Sequence, residues 1–315
     1  MTDVATHNQL GEYLRARREL VTPADVGLPA GGTRRVAGLR REEVALLAGI
    51  SSDYYLRLEQ GRDRNPSAQV LDSLARVLQL DQAGADYLHE LAAPARRHRR
   101  RPRREAVPTS IAQLLSALGL PAFVEGRYFD VLAANALARV LSPNLQVGRN
   151  RLRSVFLDPG EQALFPDWEQ VTARHVAAFR NGVGPDTDDP RFVELVGELS
   201  LGSERFRRLW ARQDVLTRAG TPIAMHHPQV GELAVWCEKL AISGAPGQTL
   251  VVYHAQPGTS SAEKMTLLAT LADQPTRAAT ATTPGRPGAA ARPADLLGGQ
   301  NAGDITARRG WRVDD

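Results

Sequence analysis

Hydrophobic residues recur at helical spacing in five short segments near the start of the chain, which predicts a small all-α domain over residues 8–92. Residue types that favour helix N-caps precede four of these segments. The predicted N-caps are Asn8, Ser51 or Ser52, Ser67 and Asp81. The pattern therefore indicates five short helices, each with one apolar face turned toward a shared core.

The second and third predicted helices, about 40–48 and 51–60, are separated by Gly49. Ala45 is small enough to let the two helices approach, and glycine at position 49 can adopt the positive φ of a tight turn. The residues predicted to bury together between the two helices are Val44, Leu47, Ala48, Tyr55 and Leu58. This pattern is typical of a helix-turn-helix, whose second helix enters the major groove of DNA, and the alternative is an ordinary αα-hairpin.

The outward face of the third helix carries side chains that could read base edges. Arg57 could bond guanine in a bidentate way, Asp53 could accept from cytosine, and Leu56 could touch a thymine methyl group. Helix capping is an alternative role for the two serines, and a favourable interaction with the helix dipole is an alternative role for Asp53. The predicted DNA-binding residues, including arginines that would contact phosphates, are Arg34, Arg35, Arg40, Arg41, Ser51, Ser52, Asp53, Tyr54, Leu56, Arg57, Gln60, Arg62 and Arg64.

Two segments lack the apolar density of a folded domain. Residues 93–108 contain seven arginines and three prolines, which favours an extended, solvated linker. This linker is either an arm that contacts DNA phosphates or a simple spacer. Residues 274–315 are rich in Ala, Thr, Pro and Gly, and we predict that they form a disordered tail.

Residues 109–273 are predicted to form a second domain with strands near both of its ends. Two short apolar runs flank Gly126, and strict alternation at 233–238 is typical of a half-buried strand. The apolar run 249–255 is predicted to pair with the alternating strand. Helical spacing returns between these regions, and Ser260 and Glu263 suggest a capping box for a last helix. Together these elements indicate an α+β domain around a mainly antiparallel sheet.

Charge is distributed unevenly between the two predicted domains. Residues 1–104 hold 18 Lys and Arg against 13 Asp and Glu, whereas residues 105–273 hold 15 against 18. The basic part therefore coincides with the predicted helix-turn-helix, as phosphate binding requires. The sequence contains no run of about 18 apolar residues, which a membrane-spanning helix would need. A single cysteine, Cys237, fits a reducing compartment, so we expect a cytoplasmic protein without a membrane partner.

With these motifs in view, the chain resembles a known family in both halves. The N-terminal domain resembles the xenobiotic-response-element-type helix-turn-helix regulators, and residues 57–81 are similar to one subgroup of them. Five segments of the second domain are similar to the MmyB-like regulators, which are mostly actinobacterial: residues 123–135, 150–159, 206–215, 227–233 and 248–269. The resemblance implies a PAS-like domain that binds a small, largely apolar ligand, with fatty acids as the expected class. The family pattern has histidine at position 213, where this chain has Gln213.

Aromatic and basic residues of the second domain are candidates for the pocket that this resemblance implies, although core packing is the alternative role of each aromatic. The candidate pocket residues are Phe123, Phe129, Arg151, Phe156, Trp168, Phe206, Trp210, His227 and Trp236. Arg151, Arg153 and His227 are the candidates for binding an acidic head group.

A catalytic or metal-binding role would draw on Asp214, His226, His227, Glu238 and His254. The two adjacent histidines would point to opposite faces of a strand, and no metal-binding or nucleophile motif accompanies them. We therefore expect no enzyme, no metal site and no cofactor. The favoured function is a ligand-responsive, DNA-binding transcriptional regulator that binds double-stranded DNA as a homodimer. A constitutive or architectural DNA-binding protein with a ligand-free second domain is the alternative.

Overall fold

The computed structural model describes residues 8–29, 36–63, 65–93, 105–184, 187, 189–216 and 220–273. The chain divides into two units, Met1–Pro275 and Thr276–Asp315. The tail predicted at 274–315 and the linker residues 94–104 lie outside the described residues, so both remain predictions.

Five helices form the N-terminal domain, as predicted. Four of them begin at the predicted caps, because the side chains of Asn8, Ser51, Ser67 and Asp81 accept hydrogen bonds from backbone N–H groups of the first turn. The helices are α1 (Gln9–Leu20), α2 (Arg41–Ala48), α3 (Ser52–Glu59), α4 (Ala68–Val77) and α5 (Gln82–Ala92), with a short 3-10 turn at Ala24–Val26.

The N-terminal core confirms most of the predicted helix-turn-helix contacts. Gly49 has a φ of +70°, and Val44, Tyr55 and Leu58 are fully buried. The prediction that Leu47 is buried is wrong, because 38% of its surface is exposed. On a helix that turns about 100° per residue, Val44, Ala45 and Ala48 take the inward face and leave Leu47 on the outer side.

The C-terminal domain is α+β, with one antiparallel sheet whose strand order is β2-β1-β5-β4-β3. Its strands are β1 (Ala122–Glu125), β2 (Val131–Ala134), β3 (Thr221–His227), β4 (Gly231–Ala241) and β5 (Thr249–His254). Its helices are α6 (Thr109–Ala117), α7 (Ala136–Leu141), α8 (Arg151–Leu157), α9 (Pro159–Gln162), α10 (Trp168–Val183), α11 (Pro190–Gly202), α12 (Glu204–Ala211) and α13 (Ser260–Asp273).

Strand pairing confirms the predicted partners and adds one strand. β1 pairs with β2 beside Gly126, and β4 pairs with β5 as expected. The sequence pattern did not reveal β3, which contains Pro222 and pairs with β4 along its length. Proline cannot donate to a sheet hydrogen bond, and it is tolerated here because β3 is an edge strand. The start of α13 also differs, since Thr259 rather than Ser260 accepts from the N–H of Ala262.

Three apolar clusters stabilise this domain. One lies between one face of the sheet and the helices α7 and α13, and a second lies between the opposite face and α6. The third is rich in aromatic residues and is built from α8, α10, α11 and α12. Helix α10 contributes to both the first and the third cluster, so it lies between the sheet and the outer helices. Across the described ranges, no helix has the length and apolar character needed to cross a membrane.

Candidate DNA interface and ligand cavity

Helix α3 presents one buried face and one exposed face. Tyr55 and Leu58 anchor it in the core, whereas Ser52, Asp53 and Arg57 are exposed. The predicted contact residues Leu56 and Tyr54 are half-buried, and Gln60 is exposed at the end of the helix. The helix therefore offers a polar strip that is held by the core behind it.

One of the two serines at the start of α3 caps the helix. The hydroxyl oxygen of Ser51 accepts a hydrogen bond from the backbone N–H of Tyr54 at 3.1 Å. Ser51 is thus the N-cap, while Ser52 is the first helical residue and is exposed. Asp53 lies in the first turn, where a carboxylate also interacts favourably with the helix dipole.

Arg57 is held in place by its neighbour Tyr54. Its guanidinium carbon lies 5.5 Å from the centre of the Tyr54 ring, within the range of a cation–π contact. This contact reduces the freedom of a long side chain without using its N–H donors. Arg57 can therefore point its donors away from the core.

A buried carboxylate, Glu59, joins α1, α2 and α3. Its two oxygens accept from the Nε atoms of Arg18 and Arg41, each at 2.6 Å. Burial disfavours the charged form, but the hydrogen bonds from Arg18 and Arg41 outweigh it and lower the pKa of Glu59. Sequence reasoning did not select Glu59 or Arg18. The signal was that both charged residues occupy core-facing positions of their helices.

Basic side chains surround the exposed end of α3. Arg15, Arg41 and Arg62 line a shallow polar depression together with Glu59 and Gln60. Of the predicted phosphate contacts, Arg40 and Arg62 are exposed, and Arg41 is partly engaged by Glu59. Arg34, Arg35 and Arg64 lie outside the described residues.

A cavity of about 160 Å³ lies in the C-terminal domain, between α10 and the sheet. Strands β1, β3, β4 and β5 form one wall, and α10 forms the other. The apolar part of the lining includes Phe123, Phe165, Val171, Ile223 and Val251. The ionisable part includes Glu125, Arg151, Asp167, Arg174, His175 and Lys239. The space is therefore mainly apolar, with charged groups at defined positions.

The charged groups of the cavity differ in whether they already have partners. Arg151 is fully buried and pairs with Glu161 at 2.8 Å, and Lys239 lies 3.8 Å from a carboxylate oxygen of Glu125. Within the described part of the chain, no ion pair involves Arg174, which is half-buried. Arg174 is thus the cation best placed to meet an anionic group in this space.

Two polar groups of the wall stay neutral. Burial raises the pKa of the Cys237 thiol, and burial also raises the pKa of the Tyr253 hydroxyl. Cys237 and Tyr253 face each other on β4 and β5. They contribute polarity to the cavity without adding charge.

Of the nine candidate pocket residues, the structure brings Phe123 and Arg151 to the cavity. Four others pack in the aromatic cluster beside α10: Phe129, Phe156, Phe206 and Trp210. Their rings contact one another, as in the stacked pair Phe206–Trp210 with centres 5.8 Å apart. These large rings fill the space between helices and do not line this cavity, so their place in a ligand pocket stays a prediction.

The other three candidates also lie away from the cavity. Trp168 donates from Nε1 to the backbone oxygen of Val155, and Trp236 is 41% exposed on the outer face of β4. His227 is buried, with its Nε2 atom 3.0 Å from the backbone oxygen of Val140. A second head-group candidate, Arg153, pairs with Glu198 instead.

The histidines and acids considered for catalysis or metal binding are dispersed. On β3, His226 is exposed and His227 is buried, as expected for neighbouring residues of a strand. His254 and Glu238 lie 3.6 Å apart on adjacent strands, and Asp214 pairs with Arg17. Among the residues that the structure describes, no three His, Cys, Asp or Glu side chains form a metal-binding group.

A helix-turn-helix with an exposed polar strip, joined to an α+β domain with a mainly apolar cavity, defines a transcription regulator with separate DNA-binding and ligand-binding domains. Residues 107–268 match the ligand-binding domain of MmyB-like transcription regulators, and residues 9–88 match a helix-turn-helix domain. Because the first match covers half of the chain, the protein belongs to the MmyB-like transcription regulators. No curated protein matches the chain.

Proposed function

We propose that this protein binds a specific DNA sequence through α3 and that a small amphipathic ligand in the cavity changes its DNA affinity. The exposed strip of α3, flanked by arginines, is the observation that carries the DNA-binding part. The mainly apolar cavity with an available cation carries the ligand part. Such a protein acts in the cytoplasm, where it meets DNA, and it binds its ligand without transforming it.

In the proposed complex, α3 lies in the major groove and Arg57 reads a guanine. Asp53, Leu56 and Gln60 face neighbouring bases, while Arg40 and Arg62 contact phosphates. The aromatic contact with Tyr54 supports the role of Arg57, because it limits the positions that the guanidinium group can take.

Selection from a random DNA pool, followed by a panel of single-base variants, tests this assignment. Arg57→Ala should cost about 1–3 kcal/mol and relax the preference at one base pair. Arg62→Ala is the matched comparison, since loss of a phosphate contact weakens all sequences alike and lowers the salt dependence of binding by about one unit. Unchanged preference at every position in Arg57→Ala would contradict the assignment.

The cavity favours a ligand with an acyl chain and a carboxylate, and we propose a fatty acid. Apolar side chains from the sheet and from α10 would surround the chain, and Arg174 would bind the carboxylate. At about 160 Å³ the cavity is close to an engineered cavity of about 150 Å³ that binds benzene. Short chains therefore fit the space as it is, and longer chains need side chains of the wall to move.

A series of straight-chain carboxylates from butyrate to myristate tests this proposal by calorimetry. Each added methylene should strengthen binding about fourfold until the cavity is full, since burial of one CH₂ contributes about 0.8 kcal/mol. Arg174→Met should weaken octanoate binding about tenfold or more, because a hydrogen bond to a charged group contributes about 1.5–3 kcal/mol. Octanol, which has no carboxylate, should bind both forms equally.

A homodimer is part of the proposal. One recognition helix reads few base pairs, and two helices on half-sites about 34–36 Å apart would give the usual affinity and specificity. Native mass spectrometry of the protein with its selected DNA would show two chains per duplex. If no carboxylate changes DNA affinity, the protein is instead a constitutive DNA-binding protein.

A further inference from the structure

The segment 213–216, after α12, contacts both the ligand cavity and the DNA-binding domain. Val215 packs against the N-terminal core cluster that contains Tyr13 and Tyr87. The next residue, Leu216, lines the cavity. Two neighbouring side chains therefore belong to the two functional parts of the protein.

An ion pair joins this segment to α1 of the DNA-binding domain, and further polar contacts hold it within the C-terminal domain. A carboxylate oxygen of Asp214 accepts from the guanidinium group of Arg17 on α1 at 2.6 Å, and its other oxygen accepts from Arg212 at 2.8 Å. The side-chain oxygen of Gln213 accepts from Arg180 on α10. Gln213 has a φ of +56°, a conformation that non-glycine residues seldom adopt and that the surrounding contacts must hold.

Hydrogen bonds fix the same segment to α10 on the other side. The N–H of Leu216 donates to the backbone oxygen of Ala177, and the backbone oxygen of Leu216 accepts from Asn181. Ala178, beside the first of these contacts, lines the cavity. A change in the position of α10 at the cavity therefore acts directly on Leu216.

Arg180 extends the connection to α5. It lies two residues beyond the cavity-lining Ala178, and its guanidinium carbon is 3.7 Å from the centre of the Trp210 ring. The same guanidinium group interacts with the Tyr87 hydroxyl, and the Tyr87 ring meets Tyr13 edge to face at 5.2 Å. One turn of α10 thus contacts the cavity and, through Arg180, the core behind the DNA-reading helices.

We propose that residues 213–216, together with Arg180, form a coupling segment that transmits occupancy of the cavity to α1 and α5 of the DNA-binding domain. The proposal rests on the proposed function in one respect, namely that the cavity binds a ligand. A ligand can change DNA affinity when it interacts unequally with two arrangements of the protein. Here an occupant that displaces Leu216 or Ala178 changes the contacts of Val215, Asp214 and Arg180.

Hydrogen exchange of the full-length protein, read by mass spectrometry, tests the coupling without a ligand. Leu216→Ala should speed exchange in α10 and also in α1 and α5, on the far side of the segment. Val251→Ala is the matched control, because Val251 lines the same cavity from β5 and is more deeply buried. Its effect should stay within the C-terminal domain. An effect of Leu216→Ala that stops at α10, or an equal effect of both variants on α1 and α5, would overturn the proposal.

A second arm uses octanoate as the probe and Asp214→Asn as a variant that keeps its side-chain size. Octanoate should slow exchange in α10, α1 and α5 of the unmodified protein, and in α10 alone of the variant. Equal protection of α1 and α5 in both forms would overturn the role of Asp214. If octanoate does not bind while Leu216→Ala still affects α1 and α5, the ligand class is wrong and the coupling segment stands.

Discussion

The interiors of the two domains differ in how completely they are filled. The N-terminal domain packs Tyr13, Tyr55 and Leu74 without exposure to solvent, and its buried carboxylate Glu59 is matched by two arginines. The C-terminal domain leaves about 160 Å³ between α10 and the sheet. Protein interiors are otherwise packed like organic crystals, so a cavity of this size has a cost in lost contacts.

This difference in packing matches the different tasks of the two domains. The DNA-binding surface of α3 must keep one orientation, whereas the cavity wall must change when a ligand binds. A recognition helix needs a fixed orientation, and the filled core behind α3 supplies it. The cavity wall lacks part of its contacts, and a ligand that supplies them stabilises the occupied state. The comparison predicts that equivalent changes affect the two domains unequally.

The largest expected effect comes from the buried ion pairs. Glu59→Gln leaves Arg18 buried without its carboxylate partner and should lower the free energy of unfolding by about 3–5 kcal/mol. Because the pKa of Glu59 is lower in the folded state, its contribution is present above the unfolded-state pKa and is lost as the pH falls through the folded-state value. Urea unfolding at several pH values should show a larger acid-side loss of stability in the unmodified protein than in the variant.

Glu161→Gln is the counterpart in the C-terminal domain. It should also destabilise the fold. Because Arg151 lines the cavity and would lose its carboxylate partner, its positive charge would become available to a bound carboxylate, and octanoate should bind more tightly. Glu59→Gln should leave octanoate binding unchanged. If Glu59→Gln cost less than about 1 kcal/mol, the pair would behave as a solvent-screened one and not as a buried one.

A matched pair of valines gives the next largest effect. Val44 lies in the filled core and Val251 in the cavity wall, and both are almost completely buried. Val44→Ala should cost about 2 kcal/mol, since it removes apolar contacts and creates a new void, whereas Val251→Ala should cost about 1 kcal/mol or less. Thermal and urea unfolding would measure both. Equal costs would mean that the cavity wall is packed as tightly as the core.

Two glycines give the smallest effect, with opposite signs. Gly49 has a φ of +70° and open space where a Cβ would lie, so Gly49→Ala introduces backbone strain alone and should cost about 1 kcal/mol. Gly197 lies inside α11, also with open space, and Gly197→Ala should stabilise by about 0.5–1 kcal/mol. Stabilisation by Gly49→Ala would show that the turn does not depend on its left-handed conformation.

The ease of prediction also differed between the two regions, for a physical reason. The faces of α3 follow from local spacing, so Tyr55 and Leu58 were found inside and Arg57 outside. The cavity is assembled from β1, β3, β4, β5 and α10, which are distant in the chain. Its residues Arg174 and Ile223 have no local signal that distinguishes them from other helix and strand positions.

The sequence does not distinguish aromatic residues of a core from those of a ligand pocket, because large rings suit both. Phe156, Phe206 and Trp210 satisfy one another in the cluster beside α10. Gln213 illustrates a further limit, since its partner Arg180 is distant in the chain. The contact between Gln213 and α10 is therefore visible in the fold and not in the local sequence.

DNA affinity measured with and without the tightest-binding carboxylate, for the unmodified protein and for Val251→Phe, tests the central claim most directly. Coupling between sites is typically about 5- to 150-fold, so saturating ligand should change the affinity of the unmodified protein by about fivefold or more. Val251→Phe fills the cavity, and its DNA affinity should not respond to the ligand. Binding of the carboxylate to the unmodified protein with no change in DNA affinity would contradict the account.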